Sequence, residues 1–158
     1  MSKTKAVSVR GRGAWVLDSS HDIVLARMVE AAQSLGGIDD ATLTNWKVRA
    51  SVPDLAFEHD RPLDPGLAAI LVEARTLVDR HGDVYPGDVR GWHLLDDIAV
   101  TNGFIRYDPL PVHALHDVLD GFADLLAGTL DPDPPGSWWF LGVPGGRRTI
   151  EMRPSNGS

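Results

Sequence analysis

Apolar residues recur at the three- and four-residue spacing of an amphipathic helix in three segments of the chain. The segments are residues 21–35, 64–81 and 111–129. Ser19 and Ser20 precede the first segment and are expected to cap its helix, because hydroxyl oxygens accept hydrogen bonds from first-turn N–H groups. Asp64 with Pro65, and Pro111, open the other two segments, as is typical of helix starts. The pattern therefore predicts three helices.

The strands are predicted from alternating or short apolar runs that turn residues bound. Residues 45–52 alternate between apolar and polar side chains, which predicts a half-buried strand. Residues 6–17 predict a strand that a turn or bulge interrupts near Gly11 and Gly13, and residues 54–63 are expected to be irregular. Two hairpins complete the set: residues 98–100 with 104–107 around Asn102 and Gly103, and residues 137–143 with 147–152 around residues 144–146.

These elements predict an α+β domain, in which about three helices pack on one face of a mainly antiparallel sheet. The length of 158 residues fits a single domain, which we place at residues 14–153. Residues 1–13 are expected to form a basic, partly flexible N-terminal segment, and residues 154–158 a frayed tail. The periodicity of individual strands does not give their order in the sheet.

The charge of the chain is negative and unevenly distributed. Lysine and arginine number 15 against 22 aspartates and glutamates, so the formal net charge is −7. Residues 107–146 contain no lysine or arginine, but they contain six aspartates. An acidic body repels nucleic acid and anionic membranes and attracts basic proteins, although the same charge can serve solubility alone. We therefore predict a basic protein as the partner, and neither nucleic acid nor a membrane.

Residue types and motifs that the sequence lacks narrow the choice of function further. Without cysteine the chain has no disulfide, thiolate metal site or cysteine nucleophile. No apolar run approaches the roughly 18 residues of a membrane span, and the N-terminus does not resemble a secretory signal, so the chain is expected in the cytoplasm. The nucleophile-elbow, zinc-protease and EF-hand motifs are absent, and no cofactor is predicted.

One predicted helix carries a cluster of histidine and aspartate. Five such side chains of residues 111–129 share the face opposite the apolar stripe: His113, His116, Asp117, Asp120 and Asp124. His113, His116 and Asp117 lie about one turn apart and are candidate ligands of a divalent metal. A metal site normally takes a further ligand from another element, and the sequence names none. A solvated helix face is therefore favoured over a metal site.

Three further polar groups are weaker candidates for chemistry. Residues 58–61 (Glu-His-Asp-Arg) combine groups that can perform acid–base catalysis, although alternate residues of an extended segment point apart. Asp96 and Asp97 could bind a cation or a basic side chain. Residues 144–149 offer backbone N–H groups and two guanidinium groups to an anion. In each case a polar loop or turn is the favoured interpretation.

Two consecutive tryptophans, Trp138 and Trp139, fall in a predicted strand. Their side chains must face opposite sides of the sheet. If helices cover one side, one indole lies on the other side, and exposed indoles are typical anchors of protein interfaces. The alternative is that loops or the tail cover the second indole as well.

The stretch YPGDVRGWHLLDDIAVTNGF, residues 85–104, resembles the Pro-x-x-(Tyr/Arg)…Asn-Gly signature of the SUKH immunity and regulatory superfamily. The long helix predicted after this stretch lies where that superfamily usually continues its sheet. Fold and function are therefore predicted from the residues alone.

These features predict a small, acidic, non-enzymatic protein that binds a basic protein partner, in the manner of a bacterial immunity protein or antitoxin. The predicted contact residues are Trp138, Trp139, Asp117, Asp120, Asp124, Asp96 and Asp97. The alternative is a small enzyme or ligand-binding protein that uses the histidine and aspartate cluster, with or without a divalent metal. A subunit of a larger assembly is a third possibility, and the sequence leaves the oligomeric state open.

Overall fold

The computed structural model describes residues 4–89, 92–95, 98–99 and 109–151. Helices and strands follow one another along these ranges in a mixed order. In chain order the elements are β1 (Thr4–Val9), β2 (Arg12–Leu17), α1 (Asp18–Leu35), α2 (Asp40–Ser51), β3 (Glu58–His59), α3 (Pro65–His81), a short 3-10 helix (Pro86–Val89), β4 (His93–Leu95), β5 (Ile98–Ala99), α4 (Val112–Ala127), β6 (Trp138–Leu141) and β7 (Arg148–Ile150).

Five of these strands form one sheet in the order β3-β1-β2-β6-β7, and β4 pairs with β5 separately. The β1–β2 and β6–β7 pairs are antiparallel, whereas β3 lies parallel to β1 and β6 lies parallel to β2. The sheet is therefore mixed, and the prediction of a mainly antiparallel sheet is wrong. The two antiparallel pairs are local hairpins, but each parallel pair joins strands that helices separate in the sequence.

The predicted interruption of residues 6–17 is a two-residue hairpin turn. Arg10 and Gly11 both adopt positive φ angles, 48° and 85°, which is the geometry that suits the right-handed twist of the flanking strands. A side-chain hydrogen bond from Arg10 Nη2 to the Leu126 carbonyl, 3.0 Å long, joins the turn to α4. Part of the predicted basic segment, residues 1–13, is thus a strand inside the sheet, with Lys5 buried.

Three of the four helices correspond to the three predicted segments, but their capping differs from expectation. Asp64 caps α3 by accepting the Leu67 N–H at 2.8 Å, as predicted. Leu17, rather than a serine, occupies the N-cap position of α1. Ser19 and Ser20 lie buried inside α1 instead, and the Ser20 hydroxyl donates to a backbone carbonyl of the loop after β6.

The fourth helix, α2, replaces the strand predicted for residues 45–52, and that prediction is wrong. Asp39 caps α2 by accepting the Thr42 N–H at 2.8 Å. Trp46 and Ala50 are both buried, and this spacing of four residues is one helical turn. Positions 46 and 50 would also share one face of an alternating strand. Local periodicity alone therefore does not distinguish a helix from a strand here.

The short strand β3 lies within residues 54–63, which were predicted to be irregular, and it adds an edge to the sheet beside β1. The predicted hairpin turn at Asn102 and Gly103 lies outside the described residues. So do Asp96, Asp97 and the tail, residues 154–158.

The hydrophobic core lies between the sheet and the helices. α1 and α4 pack on the sheet, α2 and α3 pack against α1, and α3 also packs against α4. The largest fully buried side chains include Trp46, Phe57 and Phe122. Within the described ranges, none of the helices is both long enough and apolar enough to cross a bilayer.

Candidate functional site

Two residues of the predicted α4 cluster form hydrogen bonds with the turn between β6 and β7. His113 Nε2 accepts the Gly145 N–H at 3.0 Å. The Asp117 carboxylate accepts the Gly142 N–H at 3.1 Å and the Arg147 Nε–H at 3.0 Å. Only 11% of the Asp117 side chain is exposed. This carboxylate is therefore largely shielded from solvent, and its charge is paired with the Arg147 guanidinium.

The neighbouring polar residues of α4 face α3. His116 Nε2 lies 2.5 Å from an Asp79 oxygen, and Asp120 pairs with Arg75 at 2.8 Å. Asp124, in the last turn of α4, accepts a hydrogen bond from the hydroxyl of Thr129, which follows the helix. Two residues of the cluster thus contact the β6–β7 turn, and two others contact α3. The role of the cluster in partner binding stays a prediction.

The weak metal candidates His113, His116 and Asp117 each have a different protein partner. Across the described part of the chain, no group of three or more histidine and acidic side chains is arranged to hold a metal ion.

The tryptophan pair straddles the sheet as predicted. Trp139 packs against the core, donates its indole N–H to the Asp131 carbonyl at 2.9 Å, and lies under the Arg147 guanidinium at 5.9 Å. Trp138 borders a shallow pocket of about 310 Å³ together with Arg12 and Asp133. Both indoles are partly exposed, so neither is sealed in the core.

A larger polar cleft of about 680 Å³ opens at the edge of the sheet where β3 pairs with β1. The β1–β2 turn, the start and one face of α2, strand β3 with the loop after it, and the start of α3 form its walls. Its charged lining residues are Arg10, Arg49, Arg61, Asp39, Glu58, Asp60 and Asp64. The cleft therefore contains the residues 58–61 that the sequence marked as a polar cluster.

The starts of two helices meet at this cleft. α2 and α3 begin next to Gly37 and Gly66, whose backbones approach so closely that a Cβ on either would lie 3.3 Å from the other. The capping carboxylates, Asp39 and Asp64, lie at the same rim. The hydrogen bond from the Thr42 N–H lowers the pKa of Asp39, so this carboxylate is ionised at neutral pH.

Two of the three guanidinium groups of the cleft are fixed by hydrogen bonds. Arg49 donates to Asn45 Oδ1 at 2.9 Å, to the Ala56 carbonyl at 2.7 Å and to Glu58 Oε2 at 3.4 Å. Arg10 binds the end of α4, as described above. Arg61 is exposed and makes no hydrogen bond within the described part of the chain, but its charge helps to lower the pKa of Asp39.

Two aromatic rings of the cleft lining, Trp46 and His59, pack against the buried ring of Phe57. The ring planes of Phe57 and His59 are nearly parallel, with centroids 6.0 Å apart, and Trp46 lies tilted against Phe57 at 5.8 Å. His59 is half-buried, and this burial lowers its pKa, so the imidazole is neutral at pH 7 and offers one donor and one acceptor.

The indole N–H of Trp46 is buried and has no acceptor among the described residues. A buried N–H without an acceptor costs about 1–3 kcal/mol relative to one that is hydrogen-bonded. Trp46 belongs to the cleft lining, but its side chain is fully buried.

A buried ionic network lies behind the cleft and fixes two of its walls. Lys5 Nζ donates to Asp22 Oδ1 at 2.6 Å and to the carbonyls of Arg49 and Val52 at the end of α2, at 2.9 and 3.2 Å. Lys5 thus supplies donors to carbonyl groups that the end of a helix leaves without partners.

His21 extends the same network to β3. Its Nε2 accepts the Phe57 N–H at 2.9 Å, so Nε2 carries no proton and Nδ1–H donates to Asp22 at 2.8 Å. Complete burial lowers the pKa of His21 and keeps it neutral. The network therefore connects α1 with both α2 and β3.

Sequence reasoning missed Trp46 and the Lys5–Asp22–His21 network. The single aromatic side chain of residues 40–51 was the available signal for the first, whereas the network joins positions that only the fold brings together. Neither a protein-family model, nor a curated protein, nor a solved structure matches the chain.

Proposed function

We propose that this protein binds a small polar molecule in the cleft between α2, β3 and the start of α3. The observation that carries the proposal is the polar lining of the cleft, to which both helix starts, β3 and the loop after it contribute charged side chains. Such a lining can bind a polar molecule through several hydrogen bonds and ion pairs.

The size and chemistry of the cleft favour binding over catalysis. Its volume of about 680 Å³ lies within the roughly 300–1,000 Å³ of small-molecule sites. Its imidazole, His59, has no hydrogen bond to a hydroxyl or carboxylate within the described residues, whereas an activated nucleophile needs such a base. The side chains that shape the cleft are already held by hydrogen bonds, so the site is largely formed before a ligand enters.

The proposal is tested by following the five tryptophan indole N–H signals in ¹⁵N–¹H NMR spectra. The probes are inorganic phosphate, succinate, glycerol and methylammonium, and Trp46→Phe identifies the Trp46 signal. We expect at least one probe to shift that signal saturably. His59→Ala removes the half-buried imidazole of the lining, so it should weaken binding of that probe about three- to tenfold, as for the loss of one hydrogen bond.

His113→Ala is the matched control, because it also removes an imidazole, but one that accepts the Gly145 N–H outside the cleft. This control should leave the dissociation constant unchanged. A Trp46 signal that none of the probes moves, or equal weakening by the two variants, would count against the cleft as a binding site.

We propose as a second candidate that a basic protein docks on α4 and α3, as a partner of an immunity or antitoxin type would in the bacterial cytoplasm. The observation that favours it is the exposure of Asp79 and Asp120, whose side chains remain 53% and 57% exposed although each has a partner. Exposed ion pairs are worth little, so a partner's lysines can exchange into them.

The docking proposal predicts a slower association when these two carboxylates are neutralised. Asp79→Asn with Asp120→Asn should lower the association rate constant of a decalysine peptide about threefold or more at low salt, because charge steers encounter. The control pair, Asp40→Asn with Asp54→Asn, removes the same charge from exposed positions elsewhere. Equal slowing of both pairs in stopped-flow measurements would show that net charge, not this face, attracts the peptide.

A further inference from the structure

We propose that His21 is a pH-sensitive switch, which holds the segment 56–59 against α1 at neutral pH and releases it in mild acid. This segment ends in β3. The contact that switches is the hydrogen bond in which His21 Nε2 accepts the Phe57 N–H at 2.9 Å. A proton on Nε2 turns this acceptor into a donor that faces another donor.

The hydrogen bonds of His21 determine where a further proton goes. Nδ1–H already donates to Asp22 Oδ1 at 2.8 Å, and the same oxygen accepts from Lys5 Nζ at 2.6 Å. The imidazole is fully buried. A further proton therefore goes to Nε2, where it lies against the Phe57 N–H and out of contact with solvent, and this arrangement carries the cost of a buried charge without a partner.

The charged groups that act on His21 come from three elements. Asp22 of α1 favours the protonated ring, whereas Lys5 of β1 and Arg49 of α2 oppose it. From α4, Phe122 packs edge-on, with ring centroids 6.1 Å apart. Burial has the largest influence, and it lowers the pKa of His21. The imidazole therefore stays neutral while the segment is in place and accepts a proton when the segment moves away.

Among the described residues, few other hydrogen bonds hold this segment. The Ser8 N–H donates to the Phe57 carbonyl at 3.3 Å, and Arg49 donates to the Ala56 carbonyl at 2.7 Å. β3 pairs with β1 over two residues and forms the edge of the sheet. Segments with few backbone hydrogen bonds open at a lower free energy than the core. We therefore expect this segment to be released before the protein unfolds globally.

Proton binding links the release to pH. With the segment in place, the pKa of His21 lies below its ordinary value of about 6.5, and an exposed imidazole regains that value. Below about pH 6.5 the released state therefore binds a proton that the closed state does not, so the equilibrium constant for release rises by up to about tenfold per pH unit. Above that pH both states are neutral, and the closed segment keeps its full stability.

Release of the segment removes part of one wall of the cleft, because Glu58 and His59 belong to its lining. The effect of the switch on a ligand rests on the proposed binding function, whereas the release itself does not. Affinity for a ligand of the closed cleft should fall only at a pH where the released state is the major form.

Amide hydrogen exchange of the full chain without ligand, followed by ¹⁵N–¹H NMR, tests the switch. The reporters are the amides of Phe57 and Ser8, whose hydrogen bonds hold the segment. We expect their protection factors to fall at least about tenfold between pH 7.5 and pH 5.5. They should also stay below those of amides in the middle of α4, because local release precedes global unfolding. Protection factors are ratios to unfolded-chain rates at the same pH, so the intrinsic pH dependence of exchange cancels.

Two variants separate the two imidazoles near Phe57. His21→Gln supplies an amide oxygen that can accept the Phe57 N–H and does not titrate, so its protection factors should change less than about threefold over the same pH range. His59→Gln is the matched control, because it removes the imidazole on the other side, whose centroid lies 6.0 Å from that of Phe57. This control should retain the change of about tenfold.

The switch is overturned if the reporter amides keep their protection at pH 5.5, if they are as well protected as the middle of α4, or if His21→Gln retains the pH dependence. Should His21→Gln fail to fold, which a thermal melt shows, the wild type and His59→Gln decide by themselves. None of these measurements uses a ligand, so their failure leaves the proposed binding function standing, and the failure of every probe to bind leaves the switch standing.

Discussion

Replacing Lys5 by methionine is expected to lower the free energy of unfolding by about 3–5 kcal/mol, as for other buried ion pairs that lose one partner. The Lys5 ammonium is buried and makes three hydrogen bonds, one to Asp22 and two to carbonyls at the end of α2. Methionine fills a similar volume, but it donates to none of these oxygens. Within the described residues, the Asp22 carboxylate then keeps only His21 as a hydrogen-bond partner.

Urea denaturation of single and double variants measures this effect. Lys47→Met, on the partly exposed side of α2, is the control and should change stability by less than about 0.5 kcal/mol. Lys5→Met combined with Asp22→Asn removes both charges, so its loss should be smaller than the sum of the two single losses by about 1–3 kcal/mol. Additive losses, or a Lys5→Met variant as stable as Lys47→Met, would contradict the role assigned to the ion pair.

The same variant bears on the cleft. Lys5 fixes the end of α2, and α2 carries Trp46 and Arg49 in the cleft walls. If Lys5→Met destabilises α2 locally, the shape of the cleft would change although no lining residue is replaced. This coupling makes Lys5 a positioning residue for the proposed ligand.

The elements that the sequence predicts well are those whose determinants are local. α3 has its apolar stripe, its capping Asp64 and its stop at Gly82 within one continuous segment. The β6–β7 hairpin has its turn residues between its two strands. In both cases the residues that specify the structure are neighbours in the chain, so a single sequence contains all the information needed.

The features that could not be predicted depend on distant partners. Nothing in the residues of β3 or β6 indicates that each lies parallel to a strand of the first hairpin. Trp46 is buried because α2 packs on α1, and this contact decides between the helix and the predicted strand. Tertiary packing overrides periodicity most easily in short segments.

The α4 cluster illustrates the same limit for a functional site. A helical periodicity locates polar residues relative to the helix's own apolar stripe, but not relative to the elements that flank it. The β6–β7 turn is hydrogen-bonded to His113 and Asp117, and α3 supplies partners to His116 and Asp120. Residues 58–61 were predicted to be a polar loop, yet the fold places them in the cleft beside Trp46.

The second large effect is expected at Gly142, where the loop after β6 passes close to α1 and α4. The φ angle of Gly142 is +80°, and a Cβ there would lie 2.7 Å from Val118 Cγ2 and 2.8 Å from Ser20 Cβ. Its N–H binds Asp117 and its carbonyl accepts the Ser20 hydroxyl at 2.6 Å. The loop therefore cannot move away from the added methyl group without breaking these hydrogen bonds.

Gly142→Ala should lower the free energy of unfolding by about 3 kcal/mol or more, which combines backbone strain of about 1–2 kcal/mol with the cost of overpacking. Gly136→Ala is the matched control, because Gly136 has a similar φ of +75° and no atom within 4 Å of its added Cβ. The control should lose only the strain of about 1–2 kcal/mol. The difference between the two variants in urea denaturation isolates the steric term, and a difference below about 0.5 kcal/mol would mean that the loop accommodates a methyl group, because effects that small fall within ordinary surface scatter.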